Sequence, residues 1–169
     1  LAPRGTMDAP GKLVYMDKIA VGEEAAGKID IDAPVAYNLT QVAKAKDKPI
    51  SDVTAISLDR PRNEPFVQAV RQAGARIALI GDGDISGSIA TAKSDSAVDI
   101  LFGIGGSPEA VTSACAMAAL RGEIQAKLWP RDDSEREFAR QEGLDLDQRQ
   151  RLAEATPCVF EAREGARAI

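Results

Sequence analysis

The sequence predicts an α/β fold, a layered sandwich around a largely parallel central sheet. Three observations point there: strand-like and helix-like segments alternate from Thr54 onward, the connections between them are short, and helix-start signals follow each strand. Segments in this order form parallel strands joined by right-handed crossovers.

Taken in order, Lys12 to Val21 is expected to form a strand or a bent pair. Asp32 to Lys46 is expected to form a helix begun by Asp32 and Pro34, with Val35, Leu39 and Val42 facing inward. Thr54 to Leu58 reads as a strand. Asn63-Glu64-Pro65 then supplies an N-cap, an acidic first turn and an early proline for a helix through Ala73, with Phe66, Val67, Val70 and Ala73 as its apolar stripe. After Gly74, Arg76 to Ile80 reads as a second strand and Asp84 to Ala92 as a short helix packed by Ile85 and Ile89. Val98 to Phe102 is the third strand, followed by a long helix from Pro108 to Leu120, capped by Ser107 and closed by Gly122. Glu123 to Leu128 is strand-like, Asp133 to Glu142 and Asp147 to Ala155 read as polar helices, and Cys158 to Phe160 as a short strand. With no internal repeat and no low-complexity linker, residues 1–169 are expected to form a single domain.

Composition narrows the function. A chain of 169 residues, 44% hydrophobic, is long enough to bury one core. Its net charge of −5 is spread over interleaved signs, leaving no basic stripe to neutralise a nucleic-acid backbone, so no nucleic-acid partner is expected. No apolar run approaches the roughly 20 residues that span a bilayer, and the start Leu1-Ala2-Pro3-Arg4-Gly5 has no apolar signal-peptide region, so a cytoplasmic protein without a membrane partner is expected. Cys115 lies in an apolar stretch and Cys158 far from it, which supports neither a disulfide nor a cysteine metal site. The absence of histidine removes Ser-His-Asp and Cys-His catalysis, imidazole zinc sites and a histidine base.

In open α/β sheets, ligands collect beyond the carboxyl ends of the strands, where loops meet helix amino termini. Three such loops stand out. Asp59-Arg60-Pro61-Arg62-Asn63 carries two guanidinium groups suited to phosphate oxygens on either side of a stiff proline; the plain alternative is a solvated turn. Gly81-Asp82-Gly83-Asp84 places two carboxylates where they could accept from sugar hydroxyls or hold a hard cation, or else forms an Asx turn with Asp84 as helix cap. Gly103-Ile104-Gly105-Gly106-Ser107-Pro108-Glu109 lets backbone approach a ligand and projects Glu109 from the first helical turn, as a dipole partner or as a carboxylate ligand for Mg²⁺ or Mn²⁺. A basic, an acidic and a glycine-rich loop on one sheet edge argue together for a phosphorylated polyol.

A rival reading is a dinucleotide-binding domain, because Gly81-Asp82-Gly83-Asp84-Ile85-Ser86-Gly87 fits G-x-G-x-x-G between a strand and a helix. Asp82 and Asp84 would face a pyrophosphate with negative charge. The next strand also lacks an acidic residue at its carboxyl end, Asp99 lying near its start. The Gly103 segment has no Lys followed by Ser or Thr, so it is not a P-loop.

In this order the motifs resemble class II fructose-1,6-bisphosphatase, the GlpX family of the lithium-sensitive sugar-phosphatase group. The resemblance runs through Tyr15-Met16-Asp17-Lys18-Ile19-Ala20-Val21-Gly22, Leu58-Asp59-Arg60-Pro61-Arg62, Asp82-Gly83-Asp84 and Gly103 to Glu109, then more loosely through Lys127 to Asp133. It implies a sugar-phosphatase-like fold and a Mn²⁺- or Mg²⁺-dependent hydrolysis of the 1-phosphate of fructose 1,6-bisphosphate, a step of gluconeogenesis. Some relatives also accept sedoheptulose 1,7-bisphosphate. By position, Tyr15, Arg60, Pro61, Arg62, Asp82, Gly83, Asp84 and Gly106 match the family's substrate-binding residues, and Glu109 matches a metal ligand. No residue here matches a catalytic one.

The family's other metal carboxylates lie in an amino-terminal segment with an Asp-Pro-x-Asp/Glu-Gly-Ser/Thr motif, and this chain contains no Asp-Pro pair. Asn63 and Ala110 stand where relatives usually carry His and Gly. The chain therefore reads as the carboxyl-terminal portion of a longer protein, truncated at both ends and inactive alone, whose intact form is a homo-oligomer. A non-catalytic sugar-phosphate binding or regulatory module is the alternative from another class.

Overall fold

The computed structural model describes residues 13–147 and 150–151. They form a six-stranded sheet in the order β3-β2-β4-β1-β5-β6, flanked by helices. The strands are β1 (Tyr15–Val21), β2 (Thr54–Leu58), β3 (Arg76–Ile80), β4 (Ile100–Gly106), β5 (Glu123–Leu128) and β6 (Gln150–Arg151). The helices are α1 (Val35–Ala45), α2 (Glu64–Gln72), α3 (Asp84–Thr91), α4 (Ser107–Ala119) and α5 (Asp133–Gln141). The expected α/β architecture is present.

Strands β2, β3, β4 and β5 run in one sense; β1 enters antiparallel between β4 and β5, and β6 pairs antiparallel with β5. The handedness of βαβ units decides which face each helix takes. The step from β2 to β3 goes outward in one direction, while β3 to β4 and β4 to β5 go the other way. Right-handed crossovers must then put α2 on one face and α3 and α4 on the opposite one. The two cores show this division. Ile19, Val21, Ala55, Ile100 and Phe102 pack with Leu39 and Val42 of α1 and Val70 of α2. Met16, Ala20, Ile56, Leu101 and Ile124 pack with Ala114 and Met117 of α4. Full burial of such side chains contributes about 1.5–3 kcal/mol each, and Phe66 of α2 stacks on Phe102 with ring centroids 6.2 Å apart.

Several element bounds differ from the sequence expectation. The Gly103–Gly106 stretch is not a loop: β4 extends through it, because β1 runs alongside and pairs Tyr15 with Gly106 and Lys18 with Gly103, satisfying the backbone. Gly106, not Ser107, is the cap residue of α4, and the Ser107 hydroxyl turns instead to the Leu13 carbonyl at 3.4 Å. Helix α1 starts after Pro34, and Asp32 is drawn away to Lys127 at 2.7 Å. The polar helix expected from Asp147 is replaced at Gln150–Arg151 by β6, which fills the open edge of β5. The strand expected at Cys158–Phe160 lies outside the described residues, as does Lys12. Among the described residues, no helix is long and apolar enough to cross a membrane.

Candidate functional site

The helix after β2 and the helix after β4 leave on opposite faces, so the crevice beyond these adjacent strands is a topological switch point. A cleft of about 340 Å³ opens there, lined by Tyr15, Leu58, Arg60, Arg62, Asp82, Asp84, Gly106 and Glu109 among others. All three segments singled out from sequence thus reach one pocket. Pro61 and Gly83 do not line it; they shape the turns that carry their neighbours.

On the basic side, the chain leaves β2 and makes a single 3₁₀ turn, Pro61–Asn63, before α2. Asn63 was expected to cap the helix, but it makes no capping bond. Fully buried, it donates to the Leu58 carbonyl at 3.0 Å and accepts from the Ile104 amide at 2.8 Å, sewing the turn to β4. Arg62 is fixed beside it, donating through Nε to the Ile104 carbonyl at 2.9 Å with its guanidinium 4.7 Å from the centroid of the Tyr15 ring. Arg60 is exposed and donates to the Asp59 carbonyl at 2.8 Å. Arg62 is therefore tied to β4, whereas Arg60 is exposed and bonded to its own chain neighbour.

Tyr15 is the hinge of this wall. Its ring meets Trp129 edge to face at 6.4 Å, and Arg131 lies 5.6 Å from its centroid. Arg131 donates through its amide and its Nε to Glu135, each at 2.7 Å, which holds the Glu135 carboxyl below the usual carboxylate range and pushes the guanidinium up. Trp129 and Arg131 received no role from sequence. The signal for them was their position past the carboxyl end of β5, on the same sheet edge.

On the acidic side, Asp82 is exposed and accepts from the amide of the next residue, Gly83, at 2.8 Å, whereas the expected Asx turn would bond the amide two residues on. Gly83 at φ +91 supplies the left-handed residue before α3. Asp84 is not the helix cap. It is the first residue of α3, buried, and its carboxylate accepts a buried hydrogen bond and ion pair from Lys18 of β1. The Lys18 ammonium also donates to the Gly106 carbonyl at 3.3 Å. Lys18 is only 2% exposed and is the residue that sequence reasoning missed. Its trace is a lysine between Met16 and Ala20, on the alternating apolar face of a central strand.

The glycines of β4 serve this arrangement. A Cβ at Gly105 would strike the Asp84 carboxylate and come within 2.7 Å of Lys18 Nζ, and one at Gly106 would strike the Glu109 carboxylate. The glycine pair makes room for the protein's own carboxylates, whereas the sequence suggested room for a ligand. Glu109 thus lies folded over Gly106 at the rim of the cleft.

One further acid lies close by on the opposite face of β1. Burial pushes the Asp17 carboxyl up to about 6, against the pull of the Lys18 amide and of Lys127. Among the described residues, no three His, Cys, Asp or Glu side chains converge as a cation site. The described residues alone do not fit a metal; Glu109 offers a single carboxylate. What the cleft can do chemically is hold an anion between Arg60 and Arg62, accept hydroxyl protons at Asp82 and Asp84, and present Glu109 to a cation ligated mainly from elsewhere. A larger concavity, about 520 Å³, lies at the other end of the sheet between Thr40 and Ile50, but it is shallow and brings no arginine or paired acid together.

Comparison with known proteins gives the family. The chain is 44% identical over 120 residues to fructose-1,6-bisphosphatase 1 class 2 of Escherichia coli (strain K12), covering 71% of this chain and 36% of that protein. The class 2 fructose-1,6-bisphosphatases of Escherichia coli O6:H1 and Shigella flexneri match with the same identity and coverage. The chain thus spans about a third of the length of these relatives. A family profile described as bacterial fructose-1,6-bisphosphatase, glpX-encoded, matches residues 1–163. With that match over nearly all its length, the chain belongs to the glpX-encoded family of bacterial fructose-1,6-bisphosphatases.

Proposed function

We propose that the protein carrying this chain hydrolyses fructose 1,6-bisphosphate to fructose 6-phosphate and phosphate, in the cytoplasm and as a step of gluconeogenesis. In this reading residues 1–169 form one α/β domain that supplies the substrate-binding part of a homo-oligomeric enzyme. The observation that carries it is the meeting of Arg62, Asp84 and Glu109 in one cleft at the switch point between β2 and β4. The arginines hold the phosphate that is not cleaved, since a guanidinium fork matches phosphate oxygens and Arg62 is already oriented by Ile104. Tyr15 walls that subsite. Asp82 and Asp84 accept from sugar hydroxyls, with Pro61, Gly83 and Gly106 setting the backbone around them. At the other end, Glu109 is one ligand for Mn²⁺ or Mg²⁺, which would polarise the phosphate to be cleaved. Its remaining ligands lie outside the described residues. Sedoheptulose 1,7-bisphosphate, one carbon longer, is a second substrate of the same cleft.

Calorimetry tests this. Fructose 1,6-bisphosphate should bind the chain, more tightly with Mn²⁺ once the complementary acidic segment of the family is supplied, and phosphate should then be released. Binding without phosphate release from the completed protein would favour a non-catalytic sugar-phosphate module. Binding of NAD(P) with no binding of sugar phosphate would replace both with a dinucleotide site.

A further inference from the structure

The strongest unused feature of the cleft is the buried ammonium beneath it. Lys18 reaches from the central strand β1 to two chain segments remote in sequence, the start of α3 through Asp84 and the end of β4 through the Gly106 carbonyl. A lysine this deeply buried pays a desolvation penalty that only close partners offset. We propose that Lys18 is a positioning residue that clamps the sugar-reading carboxylate of Asp84 and the backbone unit under Glu109 at a fixed separation, so that the cleft is set before ligand arrives.

The argument rests on the proposed function and adds a residue to it. Asp84 is buried yet opens into the cleft, and Lys18 pairs with its carboxylate from below. The Gly106 carbonyl is anchored by the same ammonium, and the Glu109 carboxylate lies against Gly106. The acid assigned to the sugar hydroxyls and the backbone beneath the acid assigned to the cleaved phosphate are therefore tied through one nitrogen. Gly105 is the third part of the device. Any side chain there would occupy the space of the Lys18–Asp84 pair, which accounts for a glycine in the interior of a buried strand, where its lost backbone freedom is a disadvantage. Preorganisation of this kind raises affinity by removing the cost of ordering groups on binding.

Two titrations of the chain separate positioning from fold maintenance. Fructose 1,6-bisphosphate needs both the arginines and the clamped acids, whereas inorganic phosphate needs the arginines alone. Lys18→Met should weaken fructose 1,6-bisphosphate at least tenfold while leaving inorganic phosphate within twofold of wild type. Gly105→Ala, which keeps the lysine but displaces the pair, should reproduce that split, and it decides the matter if Lys18→Met does not fold. Equal loss of both ligands, or no loss of either, overturns the clamp. If wild-type chain binds neither ligand, the proposed function itself fails, an outcome distinct from failure of the clamp.

Discussion

At the amino-terminal end of β2 and β4, Asp99 is enclosed by Lys46 at 3.2 Å, Lys48 at 2.6 Å and the Thr54 amide at 2.8 Å. At the carboxyl end of the same strands, Asp84 meets one lysine and remains on the wall of a cleft. The side chain of Asp99 is 4% exposed and that of Asp84 12%. Both are buried carboxylates paired with lysine, and their surroundings separate them. Asp99 is saturated by groups of its own neighbourhood and fastens the turn after α1 to the sheet. Asp84 is neutralised from below and still open above, which is what a hydroxyl-reading group requires. An ion pair marks a binding site only when its partners leave part of it accessible.

The comparison can be broken most forcefully at the closed end. Asp99→Ala strands two lysines and the Thr54 amide, and should lower stability by about 3 kcal/mol in urea unfolding. Ligand affinity of the folded protein should be unchanged. A matching loss of affinity would mean that the two ends are not separable.

At the open end, Arg62→Ala should weaken fructose 1,6-bisphosphate binding by about 2 kcal/mol, roughly thirtyfold, as measured by calorimetry. Arg62→Lys should recover only part of it, because an ammonium cannot both donate to Ile104 and fork a phosphate.

Asp17 sharpens the contrast, since it adjoins Lys18 on β1 but faces the other core. With its pKa raised from 3.8 to about 6, the folded protein binds the proton more tightly than the unfolded chain. Stability therefore falls as pH rises between those values, by up to about 3 kcal/mol in all. Asp17→Asn should flatten that slope and stabilise the protein at pH 7, read from unfolding midpoints across pH 4 to 7.

The smallest effect is expected at α5, where Asp132 accepts from the Glu135 amide at 2.9 Å as a helix cap. Asp132→Ala should cost about 1 kcal/mol in the same unfolding assay and leave ligand binding intact.

How much of this was legible in sequence follows from which signals are local. Thr54–Leu58 and Arg76–Ile80 were read with their observed bounds, because short apolar strands are punctuated by helix caps and by Gly74. The convergence of the three segments was legible too, since parallel strands deliver their carboxyl ends to one edge. The path of Gly103–Gly106 was not: glycine has no side chain to show a period, and β1, more than 80 residues earlier in the chain, holds those residues extended. Lys18 appeared only as part of a motif. Its partner Asp84 is 66 residues away, a pairing that becomes visible only in the assembled sheet. Gln150–Arg151 had a polar helical look, which the open edge of β5 overrode.

The most direct test is a crystal structure of the chain with fructose 1,6-bisphosphate. The expected result is one phosphate within about 3 Å of the Arg60 or Arg62 guanidinium and a sugar hydroxyl on Asp84. Ligand bound instead against Lys44 and Lys48 at the far end of the sheet, with the cleft between Arg62 and Glu109 empty, would contradict it.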